Sequence, residues 1–115
     1  MIAVIQRVAN ASVTIENKIF GQIQQGFLVL LGITHEDTLD DIQWLGKKII
    51  WLRVFSDGAG KMNLDLKEIN GKILLISQFT LHASTKKGNR PSFIEAARPE
   101  TAIPLYESMI EFLNN

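Results

Sequence analysis

Between Gly71 and Phe93 the chain reads GKILLISQFTLHASTKKGNRPSF, beginning apolar and ending basic. Ile73 to Ile76 form a continuous apolar run of the kind a fully buried strand shows. Ser77, Gln78 and Thr80 then appear around Phe79 and Leu81 without any break in β-prone composition. Each hydroxyl or amide buried without a partner costs about 1–3 kcal/mol. A strand that changes character in this way is either leaving the core or lining a site. A period of two places Gln78, Thr80 and His82 on one face, with Ser77, Phe79 and Leu81 on the other. The plainer alternative is a strand end whose hydroxyls bond to neighbouring backbone. The TKKGNRP loop that follows is basic and punctuated by glycine and proline, and it can meet an anion.

At 115 residues, 46% of them apolar, the chain is expected to form a single domain, 1–115, with a modest core. It has no cysteine, which excludes disulfides and thiolate metal sites and fits a reducing, cytoplasmic setting. His35 and His82 are far apart, and no ligand spacing suggests zinc. No apolar run reaches the roughly 20 residues of a membrane span, so no membrane partner is expected. The N-terminus does not resemble a signal peptide. Twelve basic residues balance 12 acidic ones, so global charge gives no support for nucleic-acid binding. Lys86, Lys87 and Arg90 nevertheless form a local basic patch, a candidate for phosphate contact as well as an ordinary solvated loop.

Further elements follow from periodicity. Met1 to Glu16 reads as two strand segments interrupted near Ala9–Ala11, with Arg7 as an edge-strand arginine reaching water. Asn17–Lys18 offers a turn before a strand from Ile19 to Gln24, and Phe27 to Thr34 should be a central strand. Thr38 with Asp41 resembles a capping box. Ile42, Leu45, Ile49 and Leu52 then mark the apolar stripe of a helix whose Lys47 and Lys48 lie on a solvated face. Val54–Phe55 reads as a short strand closed by a turn, and Leu64–Ile69 stays open between strand and helix. Ala102, Leu105, Met109 and Phe112 mark a second amphipathic helix. It starts either at Thr101, with Pro104 in its first turn, or at Pro99, with Pro104 as a kink.

Five ordered segments together resemble the D-aminoacyl-tRNA deacylase (D-tyrosyl-tRNA deacylase) family. They are IQRV at Ile5–Val8, ASVTIE at Ala11–Glu16, FSDGAGKMN at Phe55–Asn63, ISQFTL at Ile76–Leu81 and GNRPSF at Gly88–Phe93. The resemblance implies an α/β fold of mixed, mainly antiparallel sheets layered α/β/β with two helices, working as a homodimer. It implies hydrolysis, without metal or cofactor, of the ester joining a D-amino acid or glycine to the 3′-terminal adenosine of tRNA. It places Ser77, Gln78, Phe79 and Thr80 as the catalytic strand, with Arg7, Asn89 and Pro91 as substrate-side residues. Aminoacyl-tRNA is then the expected partner, and DNA is not.

The family pattern also carries further C-terminal strands and a Gly-Pro dipeptide that rejects L-amino acids. Here Pro91, Pro99 and Pro104 are the only prolines and none follows a glycine. The sequence is therefore expected to be a piece of a longer chain rather than a shortened, inactive relative, because losing sheet strands would expose apolar surface along Phe27–Ile33 and Ile73–Ile76.

Ester cleavage needs an oxygen nucleophile and donors for the developing oxyanion. Thr80 could attack if a base activated it, but on a strand His82 starts about 6.5–7 Å away. The resemblance implies a different route, in which main-chain N–H groups around Phe79 and Thr80 hold substrate and the terminal ribose hydroxyl assists water. Two other classes compete: an RNA- or adenosine-binding module without catalysis, and a small-molecule esterase using Thr80 or Ser77.

Overall fold

The computed structural model describes residues 1–114. In chain order the elements are β1 (Ile2–Val8), β2 (Ala11–Ile15), β3 (Lys18–Ile23), β4 (Gly26–Gly32), α1 (Leu39–Trp51), β5 (Phe55–Ser56), β6 (Met62–Leu64) and β7 (Lys72–Ser77). A 3-10 turn over Phe79–His82 and the helix α2 (Pro99–Leu113) complete the described chain.

β4 is the central strand of a three-stranded sheet, antiparallel to β1 and parallel to β7. Its odd-numbered side chains Phe27, Val29 and Leu31, continued by Ile33, are buried on the face that meets the helices. That face supplies both halves of the core. Ile49, Phe55 and Leu66 join Phe27 and Val29 in one cluster, while Ile42, Leu105 and Met109 join Leu31 and Ile33 in the other. On the opposite face the β2–β3 ribbon approaches Leu74 of β7 closely at Gly21. Helices, main sheet and ribbon make the α/β/β layering anticipated above.

The run Ile73–Ile76 differs from its expected burial. Among the described residues β7 is an edge strand with β4 as its only sheet partner, so these side chains are half-buried rather than enclosed. Leu28 and Leu30 on the ribbon side of β4 are half-buried too, while Phe27, Val29, Leu31 and Ile33 are covered. The first hairpin turn falls one residue earlier than Asn17–Lys18. Glu16 and Asn17 both take positive φ, 50° and 66°, and Ile15 pairs with Lys18. That is the two-residue turn whose twist matches antiparallel strands.

Both helices carry the expected stripes. The Thr38 amide donates to the Asp41 carboxylate at 2.8 Å, closing the capping box of α1. α2 takes the earlier of its two possible starts. Arg98 is the N-cap, Pro99 occupies the first turn where its missing N–H is harmless, and Pro104 lies inside the helix. Leu64–Ile69 is neither strand nor helix beyond Leu64. It is a turn in which the Glu68 amide donates to Asp65 at 2.9 Å.

Candidate active site

β7 makes its last ladder contacts with β4 at Ser77, and the Gln78 amide then donates to Leu31 O at 2.8 Å. Beyond that point the extended conformation stops. Gln78 is still in the β region (φ −139°, ψ 93°), but Phe79–His82 winds into a single 3-10 turn. Gly32 makes this possible: a side chain there would press on Leu81 Cβ at 3.0 Å and on the His82 ring at 3.1 Å. The turn therefore folds back over the end of β4.

This overturns the period-two face of Gln78, Thr80 and His82. Gln78 and Thr80 do meet, because Gln78 Nε2 donates to Thr80 Oγ1 across the turn. His82 goes elsewhere: its Nε2 is buried beside Gly32 and has no hydrogen-bond partner among the described residues. No acidic or histidine side chain among them hydrogen-bonds to Thr80. The hydroxyl accepts from an amide and has no base.

The opening amides of a helical turn lack intrahelical acceptors. Those of Phe79 and Thr80 have no acceptor elsewhere among the described residues either. The Phe79 ring beside them is 58% exposed and meets the 37% exposed Phe93 edge to face, centroids 5.2 Å apart. Residues 77–80 are thus at an accessible surface, not in solid interior.

The basic loop returns to this place. Ser84 and Ser92 pair through two main-chain bonds, N to O at 2.8 Å and 2.7 Å, and close the loop between them. Its tip carries Lys86, Lys87, Asn89, Arg90 and Pro91, all exposed, and the three cations form no ion pair among the described residues. After the loop, His35 Nε2 lies 2.7 Å from Ile94 O, Thr34 bridges Ala96, and the Ala97 amide donates to Ile33 O at 2.7 Å. The loop is anchored at both ends to the same end of β4 that carries the 3-10 turn. Tyr106 on α2 supports the strand by donating from its hydroxyl to Leu75 O at 2.8 Å. Burial pushes that phenol above its ordinary range.

Arg7 is not brought to this place within one chain. It pairs with Phe27, whereas Ser77 pairs with Leu31. Four residues of β4 separate the two positions, about 13 Å along the strand, with two strand spacings of about 5 Å across. The Arg7 guanidinium donates instead to Val54 O at 2.7 Å, beside a cavity of about 610 Å³ that Ser56 and Ile69 also line. Phe93, in contrast, reaches the turn without having been singled out. The signal was present: GNRPSF ends on an aromatic residue one position after the serine that closes the loop.

A family model described as D-Tyr-tRNA(Tyr) deacylase matches residues 4–115. A D-aminoacyl-tRNA deacylase of Cytophaga hutchinsonii is 68% identical over 96% of this chain and 73% of its own length. One of Flavobacterium psychrophilum is 58% identical over 98% of this chain and 75% of its own length. Among solved structures, one described as the c-Myc DNA unwinding element binding protein superposes with a TM-score of 0.91 at 42% identity. It covers 97% of this chain and 75% of that one. A probable eukaryotic D-amino acid tRNA deacylase gives 0.81 at 16% identity over 97% of this chain and 66% of that one, a likeness of fold.

Proposed function

The chain belongs to the D-Tyr-tRNA(Tyr) deacylase family, and on that premise we propose that it hydrolyses the ester of D-aminoacyl-tRNA, releasing tRNA and the D-amino acid. The observation that carries this reading is the pair of unaccepted amides at Phe79 and Thr80 beside an exposed phenylalanine. Two preorganised main-chain donors are what a tetrahedral oxyanion needs. A Thr80 hydroxyl without a base fits water as nucleophile, assisted by the terminal ribose hydroxyl of the substrate. Ser77 and Gln78 shape the strand end, and Asn89 and Pro91 border the substrate from the loop. Glycine on tRNA is a second acyl group of this reading, and the reaction takes place in the cytoplasm.

The chain works as a homodimer in this reading. Within one copy Arg7 stands at the far end of the sheet, so it serves substrate only from a second copy. Lys86, Lys87 and Arg90 contact tRNA phosphates. Substituting each by Gln should weaken tRNA binding and lower the slope of log affinity against log salt by roughly 0.7–0.9 per lost contact. Unchanged binding in all three variants would remove that role.

The activity is tested by incubating purified protein with D-aminoacyl-tRNA and, separately, with simple amino-acid esters. Release of D-amino acid from tRNA alone is expected. Activity on simple esters alone points to a small-molecule esterase, and tRNA binding without release points to a binding module.

A further inference from the structure

Both tryptophans of the chain lie on one surface away from the candidate active site. Trp44 and Trp51 are on α1, 64% and 59% exposed. Seven residues apart, they stand about 10.5 Å from each other along one side of the helix. A cation accompanies each ring. Lys48 Nζ lies 5.6 Å from the centroid of Trp44, and Lys67 Nζ lies 5.3 Å from that of Trp51. Lys67 comes from the turn after β6, so two separate segments build the surface. Lys47 lies between the rings on the same groove, of about 450 Å³, and Asp40 stands at its helix-N-terminal end.

Exposed indole rings are costly to leave in water, and a patch of them marks an interaction surface. Three ammonium groups around the two rings, against one carboxylate at the edge, select an anionic partner. The ring spacing argues for planar groups that stack one at a time rather than for a continuous apolar wedge. Aromatic platforms interleaved with lysine are the means by which unpaired nucleotides are held.

We propose that the Trp44–Trp51 face of α1, with Lys47, Lys48 and Lys67, is a second RNA contact that stacks unpaired nucleotides outside the candidate active site. The choice of RNA rests on the reading above that the substrate is a tRNA. The face binds single-stranded segments through ring stacking and phosphate neutralisation, and it contributes to capture of the RNA rather than to ester cleavage.

The two tryptophans make the test direct, because no others contribute to the protein's emission. The full chain is titrated with a single-stranded RNA oligonucleotide of about 12 nucleotides, within the usual site size of such grooves. Uncharged tRNA is titrated alongside, and binding is followed by emission and by anisotropy of labelled RNA. RNA should quench the emission, and Trp44→Ala and Trp51→Ala should each weaken binding about fivefold or more. Lys47→Gln and Lys48→Gln should each lower the salt slope by about 0.7.

Absence of quenching overturns the proposal, whether RNA binds elsewhere or not at all. So does emission that responds to phosphatidylglycerol vesicles and not to RNA, which would make the face a membrane contact. Hydrolysis is scored separately. Quenching retained in a protein that cannot deacylate would contradict the proposed activity and support this contact.

Discussion

One oxygen of the Asp37 carboxylate accepts from the Met1 ammonium at 2.9 Å and the other from the Thr34 amide at 2.7 Å. Burial by itself would raise this carboxyl's pKa. The Thr34 donors and the Met1 charge outweigh burial and hold it below its ordinary 3.8. A folded-state value below the unfolded one gives stability that is present above the unfolded pKa and lost as pH falls through the folded one. The denaturant midpoint should therefore be flat between about pH 5 and 7 and fall below about pH 4. Asp37→Asn should lower the midpoint at neutral pH by an amount worth about 1–3 kcal/mol, with the gap closing as the wild type protonates. A gap independent of pH would show that the ion pair contributes nothing. The pairing matters to the site because Thr34 also bridges Ala96, which holds the loop against β4.

At the scale of elements, α1 and α2 meet at Gly46, where a Cβ would overlap the Phe112 ring. Gly46→Val should cost about 1–3 kcal/mol by overpacking this crossing, with Gly46→Ala costing less. A denaturant midpoint unchanged in Gly46→Val would mean that the helices separate freely. These helices were legible in the sequence because each stripe repeats over several turns and because Thr38 and Asp41 carry their own capping chemistry. The start of α2 was not, since a proline at position 99 or one at 104 satisfies the first-turn rule equally well. The 3-10 turn was hidden for a different reason. Ser77–His82 obeys a strand period locally, and only the end of β4, with Gly32 offering no side chain, lets the segment fold back. Edge position was equally invisible, because an apolar run such as Ile73–Ile76 reads alike at the edge or centre of a parallel pair.

At the scale of the whole molecule, the parallel pairing of β4 with β7 sets the geometry of the candidate site. It brings the exit of β7, the anchored loop and the Ile33–Ala97 contact to one end of the sheet, leaving Arg7 at the other. The five motif segments made the family legible, since they are spread in order along the chain. The proposed mode of catalysis was less so, because main-chain donors leave no mark in side-chain identity.

The decisive measurement is the single-turnover rate of D-aminoacyl-tRNA deacylation in Phe79→Pro, with Phe79→Ala and Thr80→Ala as comparators. Gln78 already has the extended backbone that a following proline requires, and Phe79 opens the turn, where proline is tolerated. Phe79→Pro thus removes one amide donor with little change of fold, which circular dichroism checks. Loss of one oxyanion donor should slow the reaction by about 10²–10³-fold. Phe79→Ala, which keeps that donor, and Thr80→Ala should stay within about tenfold of wild type. The opposite pattern, Phe79→Pro active and Thr80→Ala dead in a folded protein, would contradict the account and make Thr80 the nucleophile.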